Sequence, residues 1–295
     1  MKIAMSIPST VEGVTRDVLF EWIRRIDAGP FSRLCTGERI ASPFLDLLSV
    51  LAAAASLTER VPIQSLISLA PLYEPVSLAK QAASIDVLSN GRFTMGVGVG
   101  IREYDYALMG KGDIFATRLA RLDEQVALLR KIWSGRFLHP GAPEIGPAPV
   151  QAGGPPIFSS SLGPRSMRRA ARWADGLAGF HMGPDLDQVD GIFRAFERAW
   201  SEAGREERPT LQLSFWFGLT DDAPGRLARF AYDYLQIYGE AFAKRRSRLT
   251  HANAAPAIRD ILLRLEDMGC DEAILTPTTA SLDELTAAED FVATL

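Results

Sequence analysis

The stretch that most constrains the fold is residues 75–100, PVSLAKQAASIDVLSNGRFTMGVGVG. Pro75 opens an amphipathic helical pattern that reaches Leu88. The pattern stops at Ser89-Asn90-Gly91 and passes at once into an apolar run with alternating glycines, Gly96, Gly98 and Gly100. A helix-to-strand joint of this kind belongs to an α/β protein. Strand ends without side chains leave room for a flat ligand, or for bulky neighbours inside a barrel.

The same alternation continues along all 295 residues. Strands are expected at 2–8, 61–70, 93–100, 157–161, 177–182, 210–219 and 272–276, with a short second one at 31–35. Helices are expected at 15–26, 45–57, 75–88, 118–133, 166–174, 186–203, 224–244, 257–268 and 282–294. The run at 61–70 has little polar alternation, as in a parallel strand buried on both faces. About eight β/α units in one chain fit a single (β/α)8 barrel spanning 1–295. A doubly wound open sheet is the alternative. It wants a glycine-rich turn after its first strand, and Pro8-Ser9-Thr10-Val11-Glu12-Gly13 is not one. Two segments stand outside the repeat: a Pro/Gly-rich excursion at 134–156 and an extra helical segment at 224–250.

A net charge of −4 gives no reason to expect nucleic acid as a partner. No apolar run approaches the roughly 18 residues of a membrane span, and residues 1–10 lack the core of a signal peptide. Cys35 and Cys270, far apart, fit a reducing cytoplasm and no disulfide framework. Cys35 reads as a small buried hydrophobe. His139, His181 and His251 show no metal-ligand spacing, so no metal is expected.

Barrel enzymes gather their chemistry at the C-terminal ends of the strands. Here those ends offer Ser9, Glu38-Arg39, Ser68, Gly98 to Gly100 with Arg102, Glu103 and Tyr104, then Ser159 to Gly163, His181, Trp216-Phe217 and Thr276-Pro277-Thr278. The set is poor in nucleophiles and rich in backbone donors, hydroxyls and aromatics, which suits a bound organic cofactor. No convergent carboxylate pair favours a hydrolase. Ser159-Ser160-Ser161-Leu162-Gly163 precedes a helix and is either an anion site or an ordinary cap. Arg102 and Glu103 are substrate-side groups or a solvated pair, and His181 is a catalyst or a satisfied loop histidine. Trp216 and Phe217 divide between core and pocket wall, and Tyr232, Tyr234, Tyr238 and Phe242 between pocket and subunit contact.

Several runs carry a family resemblance: Thr58-Glu59-Arg60-Val61, Ala79-Lys80-Gln81-Ala82-Ala83 with Asp86, Gly91-Arg92-Phe93 and Gly96-Val97-Gly98-Val99-Gly100. So do Arg121-Leu122-Asp123-Glu124, Leu129-Arg130, Ile132-Trp133-Ser134-Gly135, Gly154-Pro155-Pro156-Ile157, Arg169-Ala170-Ala171-Arg172 and Ala174-Asp175-Gly176. Together they resemble the bacterial luciferase-like superfamily, most strongly over 58–176. The resemblance implies a (β/α)8 barrel that binds FMN or coenzyme F-420 at its C-terminal rim. It implies cofactor contacts at Ile67 and Ser68, with a non-prolyl cis peptide between them, at Val99 and Gly100, and at Ser160, Ser161, Leu162 and Gly163. It also implies a homodimer, with the Ala-rich 45–57 helix as a candidate contact, and a separate flavin or deazaflavin reductase that supplies reduced cofactor.

The chain departs from the family pattern. Where many members carry Asp-His after the second strand, it has Glu38-Arg39. The catalytic Glu of the sugar-phosphate dehydrogenases corresponds to Ile101, and their phosphate-binding Lys to Gly183. The expectation is therefore a reductase that passes hydride from reduced F-420 to a small organic substrate. The alternatives are an FMN-dependent two-component monooxygenase and a non-catalytic flavin-binding barrel. The catalytic candidates are Glu38, Arg102 and His181; the candidate substrate pocket is Arg39, Tyr104, Trp216 and Tyr234.

Overall fold

Eight parallel strands close into a barrel in sequence order in the computed structural model, which describes residues 1–136, 140–182, 185–249 and 251–295. Gly183 and His139 lie outside the described residues. The strands are β1 (Lys2–Ser6), β2 (Leu34–Thr36), β3 (Ile63–Ser65), β4 (Phe93–Val97), β5 (Ile157–Ser159), β6 (Gly176–His181), β7 (Thr210–Phe217) and β8 (Glu272–Pro277). The helices are α1 (Arg16–Ala28), α2 (Leu47–Leu57), α3 (Pro75–Leu88), α4 (Glu103–Leu108), α5 (Arg118–Trp133), α6 (Pro164–Ala170), α7 (Leu186–Glu202), α8 (Ala223–Leu235), α9 (Glu240–Ser247), α10 (Ala255–Asp267) and α11 (Leu282–Ala293). The expected (β/α)8 barrel is the fold observed.

One hydrogen bond identifies the inner face. Gln64 on β3 donates to Gln212 on β7 across the barrel at 2.8 Å. Register partners share a face, so Thr94, Cys35, Ala178 and Glu272 also face inward. Gln212 donates to Glu272 at 2.7 Å, and Arg33 donates to Glu272 at 2.8 Å and to Thr94 at 3.0 Å. This satisfied polar plug fills the N-terminal end of the barrel. Above it lies a small apolar layer of Ala4, Cys35, Leu66 and Ile274. Burial pushes the Cys35 thiol pKa up, consistent with a small hydrophobe.

The helices cover the outer face with the stripes their sequences predict. Thr15 caps α1 by accepting from Val18, and Leu19, Trp22, Ile23 and Ile26 are buried. Most of the recurrent motifs prove to be latches between elements. Asp27 accepts the backbone N–H groups of Glu59, Arg60 and Val61. Arg92 donates to the carbonyls of Val61 and Thr58, both at 2.5 Å. Asp123 accepts from Trp173 and pairs with Arg169, and Asp175 joins Arg130 to the Ile157 N–H.

The structure differs from expectation in three places. The 61–70 run is only briefly a strand; after β3 the chain passes a cis Leu66–Ile67 bond, one bond before the expected one, and enters a 3-10 turn at Ala70–Leu72. The 224–244 helix is broken into α8 and α9 at Gly239, which adopts φ +94°. Helix α4 was not expected, because six residues are too few to show a period. In helix α2, Leu47, Leu48, Val50, Leu51, Ala54 and Ala55 are buried within the chain, while Ala52, Ala53 and Leu57 are partly exposed between exposed Ser49 and Ser56. No helix among the described residues is long and apolar enough to cross a membrane.

Candidate active site at the barrel mouth

Toward the C-terminal end the inward rows finish in Ser6, Gly98, Ser160, Phe180, Trp216 and Thr276. Small groups occupy the β1, β4, β5 and β8 sides, and aromatic rings occupy β6 and β7. The result is a lopsided mouth with one aromatic wall. Trp216 is the hub of that wall, with ring centres 5.3 Å from Phe180, 5.2 Å from Phe230 and 4.9 Å from Tyr234, all edge-on.

Around the mouth, the Ser68, Thr276 and Thr278 hydroxyls are buried without a hydrogen-bond partner. A buried polar atom without a partner costs about 1–3 kcal/mol, so three of them at the ends of two strands point to a polar ligand. Thr276 and Thr278 were legible only as a strand end; nothing in the sequence marked their hydroxyls as unsatisfied.

The alternating glycines have a packing cause. A Cβ on Gly96 would lie 2.1 Å from the Ser65 carbonyl oxygen, and one on Gly98 would lie 2.0 Å from Cδ1 of Ile67. The absent side chains thus admit the β3 segment, and that segment occupies the room expected for a ligand at these two positions. Gly100 takes φ +65°, and the Val99 carbonyl accepts from the Tyr106 hydroxyl at 2.6 Å. Ile67 joins Leu69, Leu72 and Tyr106 in a small cluster under this loop.

The serine turn is partly self-satisfied. Ser160 N–H donates to Val97, the Ser159 and Ser161 hydroxyls share a 2.8 Å bond, and Gly163 N–H donates to Ser166 Oγ. Helix α6 has seven residues. The helix is capped at Gly163 through Ser166 and not by the turn's serine hydroxyls, while Leu162 is 56% exposed on the rim.

Glu38 accepts the Leu69 N–H at 2.6 Å and the Tyr73 hydroxyl. Burial pushes its pKa up to about 7 against those two bonds. This carboxylate ties the loop after β2 to the loop after β3. His181 is buried, in register with Phe215, which packs in the core outside the barrel. That row is adjacent to the inward row of Phe180 and Ser214. Arg39 and Arg102 both lie over the Tyr234 ring, at 4.6 and 5.3 Å from its centre. Tyr104 is half-exposed beside them. The structure therefore brings Arg39, Arg102, Tyr234 and Trp216 together, and places His181 in the neighbouring outward row.

The luciferase-like monooxygenase family matches residues 1–276. The chain belongs to this family. Among its relatives, an uncharacterised protein of Mycobacterium tuberculosis is 31% identical over 63% of this chain and 64% of its own length. The chain thus spans a little under two thirds of the first curated relatives it matches. The oxygenase component of a flavin-dependent trigonelline monooxygenase from Acinetobacter baylyi is 27% identical over 67% of this chain and 57% of its own length. A solved F-420-dependent secondary alcohol dehydrogenase superposes with a TM-score of 0.77 at 18% identity, covering 100% of this chain and 98% of that one. Its likeness concerns the fold.

Besides the flavin-dependent oxygenase component, an F-420-dependent hydroxymycolic acid dehydrogenase of Mycobacterium tuberculosis is 34% identical over 45% of this chain and 38% of its own length. The mouth fits such a group through the three unpartnered hydroxyls and the aromatic wall. Among the described residues, no set of His, Cys, Asp and Glu is placed to hold a metal ion.

Proposed function

We propose that this luciferase-like protein is a reductase that takes hydride from reduced F-420 and passes it to a small organic substrate. The observation that carries this reading is the state of Glu38. It stands where many luciferase-like proteins carry an Asp-His pair, and its carboxylate is engaged by Leu69 and Tyr73. The mouth is thereby left with hydroxyls, aromatic rings and two arginines rather than an acid–base pair, and the bound group does the hard chemistry.

The residues that would hold the group are Ser68, Val99 and Gly100, the Ser160 to Gly163 turn, and Thr276 and Thr278. When bound and reduced, the group supplies the hydride. The chain's own part is to orient it and exclude water: Phe180, Trp216 and Phe230 form a wall that keeps solvent from one side of the mouth. A separate flavin or deazaflavin reductase supplies the reduced cofactor, since the chain shows no nicotinamide fingerprint. The second reading, an FMN-dependent monooxygenase, is favoured by the Acinetobacter relative, named as an oxygenase component.

Oxygen dependence separates the two. Anaerobic single-turnover mixing with reduced F-420 and a panel of enones and imines should oxidise the deazaflavin without oxygen. Turnover only with reduced FMN and oxygen would replace the first reading by the second.

A further inference from the structure

Two guanidinium groups meet on one aromatic ring at the edge of the mouth. Arg39 comes from the loop after β2, Arg102 from the loop after β4, and Tyr234 from α8. The Tyr234 ring meets the Trp216 ring edge-on. With Cζ distances of 4.6 and 5.3 Å to the same ring centre, the two cations lie within about 10 Å of each other, roughly the screening length at 0.1 M salt.

Neither cation has an ion-pair partner. Among the described residues, partly buried Arg25, Arg33, Arg169 and Arg226 each pair with a carboxylate. Arg39 and Arg102, also partly buried, form no ion pair. Asp105 contributes to the field at Arg39, but it is buried and accepts the Ala41 N–H at 3.2 Å. Burial, and then Arg102, pull the Arg39 pKa down. Two half-buried like charges without an anion are unfavourable, and an anion between them relieves both.

We propose that Arg39 and Arg102 form a clamp for a carboxylate carried by an aromatic substrate, which lies against the Tyr234–Trp216 wall. A guanidinium offers a planar fork that matches a carboxylate, and the ring wall accepts an aromatic body edge-on. Cation–π contact fixes both arginines before the substrate arrives, so little side-chain freedom is lost on binding. The inference rests on the proposed function only in taking the barrel mouth as the reaction chamber.

The test compares benzoate with its neutral counterpart benzamide by calorimetry, on cofactor-free and cofactor-loaded full-length protein. Wild type should bind benzoate at least tenfold tighter than benzamide. R39Q and R102Q should each lose most of that preference, and the double Lys variant should keep part of it. Matching melting temperatures check folding, and Y234L, which keeps both charges, should weaken benzoate severalfold. Equal binding of benzoate and benzamide to wild type overturns the proposal, as does inorganic phosphate competing better than benzoate. The cofactor's own phosphate is the other source of an anion. If R102Q weakens FMN tenfold while riboflavin binding is unchanged, the clamp serves the cofactor and the substrate proposal falls. Failure of wild type to bind either FMN or F-420 would instead count against the proposed function, and the benzoate preference of cofactor-free protein is read independently of it.

Discussion

Tyr73 donates its hydroxyl to the carboxylate of Glu38, which also takes the Leu69 N–H, so one acid joins two loops of the barrel mouth. Burial holds that acid at about 7, above its ordinary 4.5. An acid whose pKa rises on folding favours the folded state at low pH. Its contribution is complete below about 4.5 and is lost as the pH rises through about 7. The expected outcome is that the stability difference between wild type and Glu38→Gln shifts by at most about 3 kcal/mol across that window and is flat above pH 8. Urea midpoints for both proteins from pH 4.5 to 8 check it. A difference constant in pH would show that Glu38 does not titrate in this range.

Gly98 and Ile67 share one space. A methyl at Gly98 must displace the Ile67 side chain, so Gly98→Ala should cost about 1–3 kcal/mol through overpacking. The double variant Gly98→Ala/Ile67→Ala should recover part of that loss relative to the sum of the single changes. Thermal unfolding of the four proteins closes the cycle. Additive losses would mean that the two positions do not touch.

Ser68 should show opposite signs in two measurements. Its buried hydroxyl has no partner, so Ser68→Ala should leave cofactor-free stability unchanged or raise it by up to about 1 kcal/mol. The same change should weaken cofactor binding severalfold, because one polar contact is lost. A stability loss with unchanged cofactor affinity would place that hydroxyl in the scaffold.

Asp86 anchors the 134–156 excursion. Its buried carboxylate accepts the Gln151 backbone N–H at 3.0 Å and the Gln151 side-chain amide at 2.7 Å. Asp86→Ala should destabilise by about 2–3 kcal/mol, since the Gln151 N–H loses its acceptor and the Gln151 amide loses one of two, keeping the Phe93 carbonyl. It should also speed proteolytic nicking within 134–156. Nicking at the wild-type rate would show that the excursion is held by other contacts.

The barrel itself was legible because β/α alternation is a local signal. Helix α3 and helix α5 have the bounds their periodicity predicts, with Pro75 at the start of one and Trp133 at the end of the other. The β3 exit was not legible: an apolar run reads as strand whether or not its pairing is continuous, and here the regular strand stops at Ser65 and the chain rejoins β4 by an isolated bridge between Ser68 and Val97. The family-like motifs pointed to the right fold, although Arg92, Asp123, Arg130 and Asp175 hold elements together rather than line the mouth. In the sequence, Arg39 is read from a strand end and Tyr234 from the aromatic helical segment after β7. Their meeting with Arg102 needs two loops and helix α8 in register, which no sequence spacing records. The engagement of Glu38 by Tyr73 is likewise a contact between loops.

The central claim is that the mouth binds a reduced deazaflavin or flavin. Titrating the purified protein with F-420 and with FMN, each oxidised and reduced, and following fluorescence, tests it most directly. The account predicts binding near micromolar, tightest for reduced F-420, and weakened severalfold in Ser68→Ala. Wild-type protein that binds none of the four species near that concentration would contradict it.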